Sequence, residues 1–557
     1  MNKSEFDRNW LVLGPLAVIF IIIYSWFSFT TSLAFNPPAE QLIPIFSWPD
    51  AMANNSFIDH FIERSSFIFP ESLNTTVSNI IHPRSTNVIA NGSIVPTAFL
   101  GFVIIHGLIG KLIGAWLVKF LTALVAGFAV LFFYALIKKL FNKTIGLISS
   151  LLLFTLASFW YYSNLVMLPT IMFVFLAIAG FYFLAKSCEE SSSLNALACG
   201  LFLGLASIVR LTEVAWIFLV IIIVLIFLGK KIALEKVFLF IVGFIPPIAL
   251  LLYFNDLTYG SPWMFGYFHL NDGLGVIDRL PTEMQVASES FAVVRYLKLI
   301  FLPFGFSIKH IVLNFYHYFI LFLWPYVALF VIGGLVWLAQ LFKQKITQRQ
   351  VVYAVCSLVI CLWLIFYYGS WELADKMVLK NNLIGSSYIR YWIMMNIVIL
   401  PFIGWLFEKI LKLRFGFRAL NFILVVVLMF GLFVFSFERV YFSRGEGLLD
   451  QRKVIASAYE LQKKVVSITG TEAIIVNDRA DKFFWPAMKV VDFNLDYTIF
   501  PELKKLLPAQ TVYYLSYRPA KDMNFINDTK IKSSGLKLVF TDKVSDEYKL
   551  YKLVQIN

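Results

Sequence analysis

Residues 10–35 read WLVLGPLAVIFIIIYSWFSFTTSLAF, a stretch without a single charged side chain. An apolar run of 18 or more residues is long enough to cross a hydrocarbon layer of ~30 Å. Comparable runs recur along the 557-residue chain, which is 59% hydrophobic, 17% aromatic and only 15% charged. A soluble protein would carry about 25% charged residues. The chain therefore reads as a polytopic membrane protein. The first run is too long for a signal-peptide core and no small-residue cleavage site follows it, so it is expected to be a retained helix.

Hydropathy and charge together predict helices over 11–34, 117–137, 145–161, 168–186, 195–209, 213–228, 236–253, 316–341, 351–368, 390–407 and 419–437. Lysine and arginine gather in alternate loops: Lys138, Lys139 and Lys143; Lys186; Lys230, Lys231 and Lys236; Lys343, Lys345 and Arg349; Lys409, Lys412, Arg414 and Arg418. The positive-inside rule puts these loops and the N-terminus on the cytoplasmic side. The net charge of +13 is thereby a matter of topology and gives no reason to invoke nucleic acid. The opposite side receives the loops 36–116 and 254–315 and the tail 438–557. Residues 97–114 contain His106 and Lys111 within an apolar sequence and are expected to form a helix in the outer interface.

Beyond residue 437 the composition changes, with 19 Lys or Arg against 15 Asp or Glu and no long apolar run. An amphipathic stretch near 451–467 precedes β-like runs at 473–477, 489–493, 511–516, 537–540 and 548–554. A small extracytoplasmic α/β domain is expected, large enough to bury its own core. The domains are thus 1–437, a membrane region, and 438–557. Cys188, Cys199, Cys356 and Cys361 lie in or beside apolar segments and form no disulfide framework or CxxC motif.

The first loop is rich in aromatic residues and proline, and carries Asp50 in SWPDA, then Asp59, Glu63 and Glu71. It ends in HPRSTNVIANGSIVP, residues 82–96, with His82, Arg84 and Asn91. A loop aspartate is ordinarily just solvated. A carboxylate held near apolar surface has its pKa moved toward the range of a general base, however, and a nearby arginine suits a phosphate. Asp50 is the candidate base, with Glu71 and Asp59 as possible second carboxylates.

Two arginines fall on the outer ends of helices, where positive charge is disfavoured. They are Arg210 in ASIVRLTEVAW and Arg390, followed by Tyr391, in GSSYIRYWIMMN. Such residues often only snorkel, and Glu213 is placed to neutralise Arg210. The other reading makes them ligands for an anionic phosphate. In the second loop, Trp263 and Tyr267 are candidates for sugar stacking or for a lipid boundary, and Lys309 with His310 is a further candidate phosphate contact. The histidines show no ligand pairing and the carboxylates no Asp-x-Asp spacing, so no metal or other cofactor is demanded.

One long helix, a large acidic outer loop and a bundle with a second large outer loop resemble the GT-C superfamily of integral membrane glycosyltransferases. That group includes protein O-mannosyltransferases and lipid A aminoarabinose transferases. The resemblance covers residues 10–437, on SWPDA 47–51, HPRS…NGSIVP 82–96, ASIVRLTE 206–213, YGSPWMFGY 259–267 and SYIRYW 387–392. It implies transfer of a sugar from a polyprenyl-phosphate donor to a protein, lipid or glycan acceptor at the outer face of the cell membrane. The anomeric centre would invert, with Asp50 as base. Many members carry an Asp-Glu pair where this chain has Asp50 and Ala51. The competing expectation is a transporter or flippase for lipid-linked saccharides, although no internal repeat is visible.

Overall fold

The computed structural model describes residues 7–31, 43–189, 192–228, 233–269, 305–371, 383–413 and 418–556. The predicted second loop, 254–315, is therefore described only at its two ends. Two compact units make up the chain. The first comprises Met1–Phe27, Leu121–Leu250 and Ile277–Asp450; the second comprises Ser28–Phe120, Leu251–Val276 and Gln451–Asn557.

The first unit is helical. Among the described residues eight helices of the chain are long and apolar enough to cross a membrane. A bent pair, Lys143–Thr155 and Ala157–Asn164, makes a ninth if it is one span. This pair was expected as one straight helix and instead turns by 53° at Leu156, whose backbone is extended. The helix expected at 316–341 is also broken. A π-turn, Tyr316–Leu321, precedes a helix starting at Trp324, because Pro325 in the first turn has no N–H to extend a helix from upstream.

Leu194–Val209 and Val214–Leu228, expected as spans, are 16 and 15 residues long. The first packs tightly on Leu234–Tyr259. A Cβ on Gly200 would overlap the Phe240 carbonyl oxygen, and one on Gly243 would overlap that of Leu197. Small residues let apolar helices approach to backbone contact where hydrophobic burial alone gives no preference between helix and lipid. Elsewhere large apolar side chains stay uncovered, among them Phe238, Ile245, Phe422 and Phe430. A hydrocarbon solvent tolerates such a surface and water does not. The chain is a multi-pass membrane protein.

The second unit contains a five-stranded sheet in the order β4-β3-β5-β7-β6. The strands are β3 Ile474–Asn477, β4 Lys489–Asp492, β5 Val512–Ser516, β6 Leu536–Lys543 and β7 Lys549–Gln555. β3 runs parallel to both β4 and β5, while β7 is antiparallel to β5 and β6. All five coincide with the runs expected from sequence. The helix Leu448–Thr469 replaces the amphipathic stretch.

The grouping of segments differs from the division at residue 437. Val77 and Ile81 of the first loop are fully buried in the core cluster that holds Phe493, Phe500, Tyr514 and Leu553. The loop thus completes the core of the tail domain. Asn74 fixes the loop's shape: it is fully buried, donates to the carbonyls of Ile81 and Gly92 and accepts from the Ile81 N–H. The hairpin of β1 Thr86–Val88 and β2 Ile94–Pro96 turns at Asn91-Gly92, where Gly92 has φ +83°, the geometry that favours Asn-Gly.

A parallel sheet with β3 between β4 and β5 has a crevice at the carboxyl ends of β3 and β5, where connections leave in opposite directions and ligands commonly bind. Here the protein's own side chains occupy that edge. Arg518 pairs with Asp478 at 3.0 Å. Arg84 grips the fully buried Asp481 through its backbone N–H at 2.8 Å, Nε at 2.9 Å and a terminal nitrogen at 2.6 Å.

Removing one partner of a buried ion pair leaves a desolvated charge and costs about 3–5 kcal/mol. Arg84→Ala should therefore lower the unfolding midpoint of the solubilised protein and speed proteolysis within 43–96. An unchanged midpoint would contradict this role. Asp492, at the end of β4, provides a pH test. Burial first, and Asp481 next, push its carboxyl up to about 6 against the pull of Arg84. The folded state therefore holds this proton above the unfolded value of 3.8. The associated stability is complete below about pH 4 and lost as the pH rises through about 6. Asp492→Asn should thus be more stable than wild type at pH 7.5, on the order of 2 kcal/mol, with the gap closing near pH 4 in thermal melts.

Candidate active site

In the second unit the chain enters the helix Pro49–Arg64 through Trp48 and Pro49. Proline is favoured there because its missing N–H would have had no intrahelical partner. Asp50 follows in the first turn, where the exposed N–H dipoles favour a negative group. Its Oδ1 accepts a 2.6 Å hydrogen bond from Ser85 Oγ. Ser85 occupies a left-handed conformation, φ +63°, immediately after Arg84. The Arg84–Asp481 clamp thus holds the residue next to the one that orients Asp50. Lys482 donates to the Ser47 carbonyl on the other side. Ala51 is 4% exposed, so it faces inward.

The other carboxylates named from sequence do not join Asp50. Asp59 lies nine residues further along one helix, about 13 Å along its axis and half a turn around it. Its Oδ2 accepts from Asn55 at 2.8 Å. Glu71 caps the short 3-10 turn Ser72–Thr75 by accepting from the Leu73 N–H at 3.1 Å. His82 Nδ1 lies 3.0 Å from the Pro83 carbonyl and burial pushes its pKa below the usual histidine value. Asn91 accepts from the Ser93 N–H, a turn-forming role. Trp263 is 72% exposed, and Tyr267 is also exposed, its ring edge-on to Phe99 at 4.9 Å. The segment carrying them is tied to the hairpin by Tyr259 donating to the Pro96 carbonyl and Asn87 donating to that of Gly266.

In the first unit the structure does unite two residues 180 positions apart. Arg210 ends the helix Leu194–Val209 and is 7% exposed. It pairs with Glu213 at 3.0 Å and donates to the Tyr368 hydroxyl at 3.1 Å. Glu213 also accepts from Tyr368 at 2.6 Å and from the Trp216 indole. The guanidinium lies 5.5 Å from the centre of the Tyr391 ring, which stacks on Tyr368 at 4.5 Å. Arg390, on the short helix Ser387–Tyr391, has its guanidinium 5.1 Å from the same Tyr391 ring. Two cations thus share one aromatic ring and one buried carboxylate partners the first of them. Lys309 is exposed at the start of the helix Ile308–Phe315.

Ser85, Asp481, Tyr368 and Trp216 were not singled out from sequence. Tyr368 alone had a local signal, since it sits in an aromatic run, IFYYGSW 365–371, at the end of an apolar segment. The others are defined by partners far away in the chain or by a single turn.

Residues 96–254 match the model of the dolichyl-phosphate-mannose-protein mannosyltransferase family. No curated protein matches by sequence. The chain is similar to the Archaeoglobus fulgidus oligosaccharyltransferase in its apo form, with a TM-score of 0.53, 12% identity, and coverage of 92% of this chain and 70% of that one. The archaeal oligosaccharyltransferase AglB from Archaeoglobus fulgidus, in complex with an inhibitory peptide and a dolichol-phosphate, gives a TM-score of 0.50 at 11% identity, with coverage of 92% of this chain and 70% of that one. ArnT from Cupriavidus metallidurans aligns over 97% of both chains at 9% identity, with a TM-score of 0.47. The chain thus shares the fold of the archaeal oligosaccharyltransferase, and its residues 96–254 resemble the dolichyl-phosphate-mannose-protein mannosyltransferase family.

Proposed function

We propose that this enzyme moves a sugar from a polyprenyl-phosphate carrier to a hydroxyl on a protein, lipid or glycan acceptor, at the extracytoplasmic face of the cell membrane. The observation that carries the reading is the convergence of Arg210 and Arg390 on Tyr391. A mixed phosphodiester donor releases a phosphate monoester, so negative charge grows on the leaving oxygen as the C1–O bond breaks. Preorganised cations stabilise that charge more in the transition state than in the ground state. The archaeal AglB structure with a dolichol-phosphate supports a lipid phosphate as the anion.

The acceptor hydroxyl needs the other half of the chemistry. Asp50 takes its proton as the oxygen attacks C1 from the face opposite the phosphate, which inverts the anomeric centre. Ser85 fixes the carboxylate by donating to Oδ1. Arg84 acts on this chemistry as a positioning residue, because Asp481 already engages its guanidinium. The alternating lysine and arginine loops support a cytoplasmic N-terminus and an outer tail domain.

In membranes supplied with labelled polyprenyl-phosphate sugars, Asp50→Asn should lower transfer by about 100-fold or more while donor binding survives. Arg390→Ala should instead weaken donor binding, and Arg390→Lys should recover part of it. Full activity of Asp50→Asn, or no consumption of any donor in the panel by wild type, would contradict the proposal.

A further inference from the structure

The second unit holds a cavity that the reaction does not use. It has a volume of about 170 Å³ and lies against the helix Pro49–Arg64, lined by Asn55, Asp59, His60 and Glu63 together with Phe69 and Trp485. Asn55, Asp59 and Glu63 recur every four residues and so share one helix face. That face is about half a turn from Asp50, so a molecule bound there is not the one whose hydroxyl meets Asp50.

The lining limits what fits. Two carboxyl groups exclude an anion. The polar wall excludes a lipid tail, since burying carboxyl and amide groups against hydrocarbon leaves them without partners. Asn55 is 4% exposed, and its Oδ1 has no hydrogen-bond partner among the described residues, although its amide nitrogen donates to Asp59. Among the described residues no group of three or more His, Cys, Asp or Glu is placed to hold a metal ion.

A neutral molecule rich in hydroxyls satisfies these groups. Vicinal hydroxyls donate in pairs to a carboxylate, and the aromatic residues Phe69 and Trp485 in the lining suit the C–H side of a sugar ring. Burial pushes the Asp59 carboxyl above its usual value, with Lys119 and Asn55 acting the other way. That suits a hydroxyl, which bonds either protonation state, better than a cation. His60 lies ring to ring with Phe69 at 4.1 Å, and burial pushes its pKa below the usual histidine value. Glu63 is exposed and stands at the mouth.

We propose that this cavity is a saccharide-binding site, separate from the reaction centre, that takes one neutral hexose ring with Asp59 and Glu63 as its hydroxyl acceptors. The inference rests on the cavity itself and is independent of the roles given to Asp50 and the arginines.

The test is binding of methyl hexosides (gluco, galacto and manno) to the purified full-length protein in nanodiscs, by saturation-transfer NMR and equilibrium dialysis. At least one neutral hexoside should bind saturably. The matching hexuronate should bind at least tenfold more weakly, because Asp59 and Glu63 repel its carboxylate. Asp59→Asn or Glu63→Gln should weaken binding at least fivefold in protein with an unchanged melting temperature, and Asp50→Asn should leave it unchanged. Competition by an oligosaccharide ending in the same hexose would assign the site to a glycan, and its failure to compete would assign it to the free sugar. Absence of saturable binding, binding lost with Asp50→Asn, indifference to both Asp59→Asn and Glu63→Gln, or a tenfold preference for the amino sugar would each overturn the proposal. Loss of sugar transfer in Asp50→Asn with hexoside binding intact keeps the two readings distinguishable.

Discussion

A guanidinium at the end of apolar helices persists only if its charge is partnered, and Arg210 shows the terms on which this chain keeps one. Glu213 supplies the counter-charge, Tyr368 bonds both, and the rings of Phe173, Tyr368 and Tyr391 lie within 5.7 Å of the cation. The arrangement is more than neutralisation, because Arg390 adds a second cation on the Tyr391 ring. A structural ion pair would have been complete without it. The ring shared by the two cations is why we read the pair as donor-binding and not as snorkelling.

The second unit obeys a different constraint, that of a soluble core. The tail domain lacks two apolar residues that Val77 and Ile81 supply from the first loop, so the loop cannot unfold without opening that core. Arg84 on Asp481 adds a charged anchor at the edge of the sheet. These contacts fix the backbone around Ser85, and Ser85 fixes Asp50. A domain without catalytic residues of its own thus contributes to the geometry of a carboxylate some 430 residues upstream. A switch-point crevice that would otherwise be a ligand site is used as a socket for the chain.

Much of this was legible in the sequence, and the reason differs by element. The five strands of the tail were read correctly because each is a short run of β-branched and aromatic residues bounded by turns. The long helices were read from hydropathy alone, since a hydrocarbon solvent makes apolar length decisive. Arg210 and Arg390 stood out because the lysine and arginine pattern predicts outer helix ends for them, where positive charge violates the usual bias. What pattern reading missed was set by single residues or by distant partners. Leu156 bends a predicted helix and Pro325 starts another one late. Asp59 looked like a companion to Asp50 on composition, yet lies on the opposite face of one rigid helix. Arg84 looked like a phosphate ligand until Asp481, almost 400 residues away, was seen to hold it. Asn91 and Glu71, polar residues in an interesting loop, turn out to serve local turns. Proximity in sequence carried no information about these pairings.

The central claim is a single displacement in which Asp50 deprotonates the acceptor while the arginines receive the phosphate. Its most direct test is stereochemical. A polyprenyl-phosphate sugar of defined anomeric configuration would be turned over by the purified enzyme and the product's anomeric centre read by NMR, with the released lipid phosphate quantified alongside. The account predicts an inverted linkage and one polyprenyl phosphate per sugar transferred. Retention of configuration, or a sugar trapped covalently on Asp50, would contradict it.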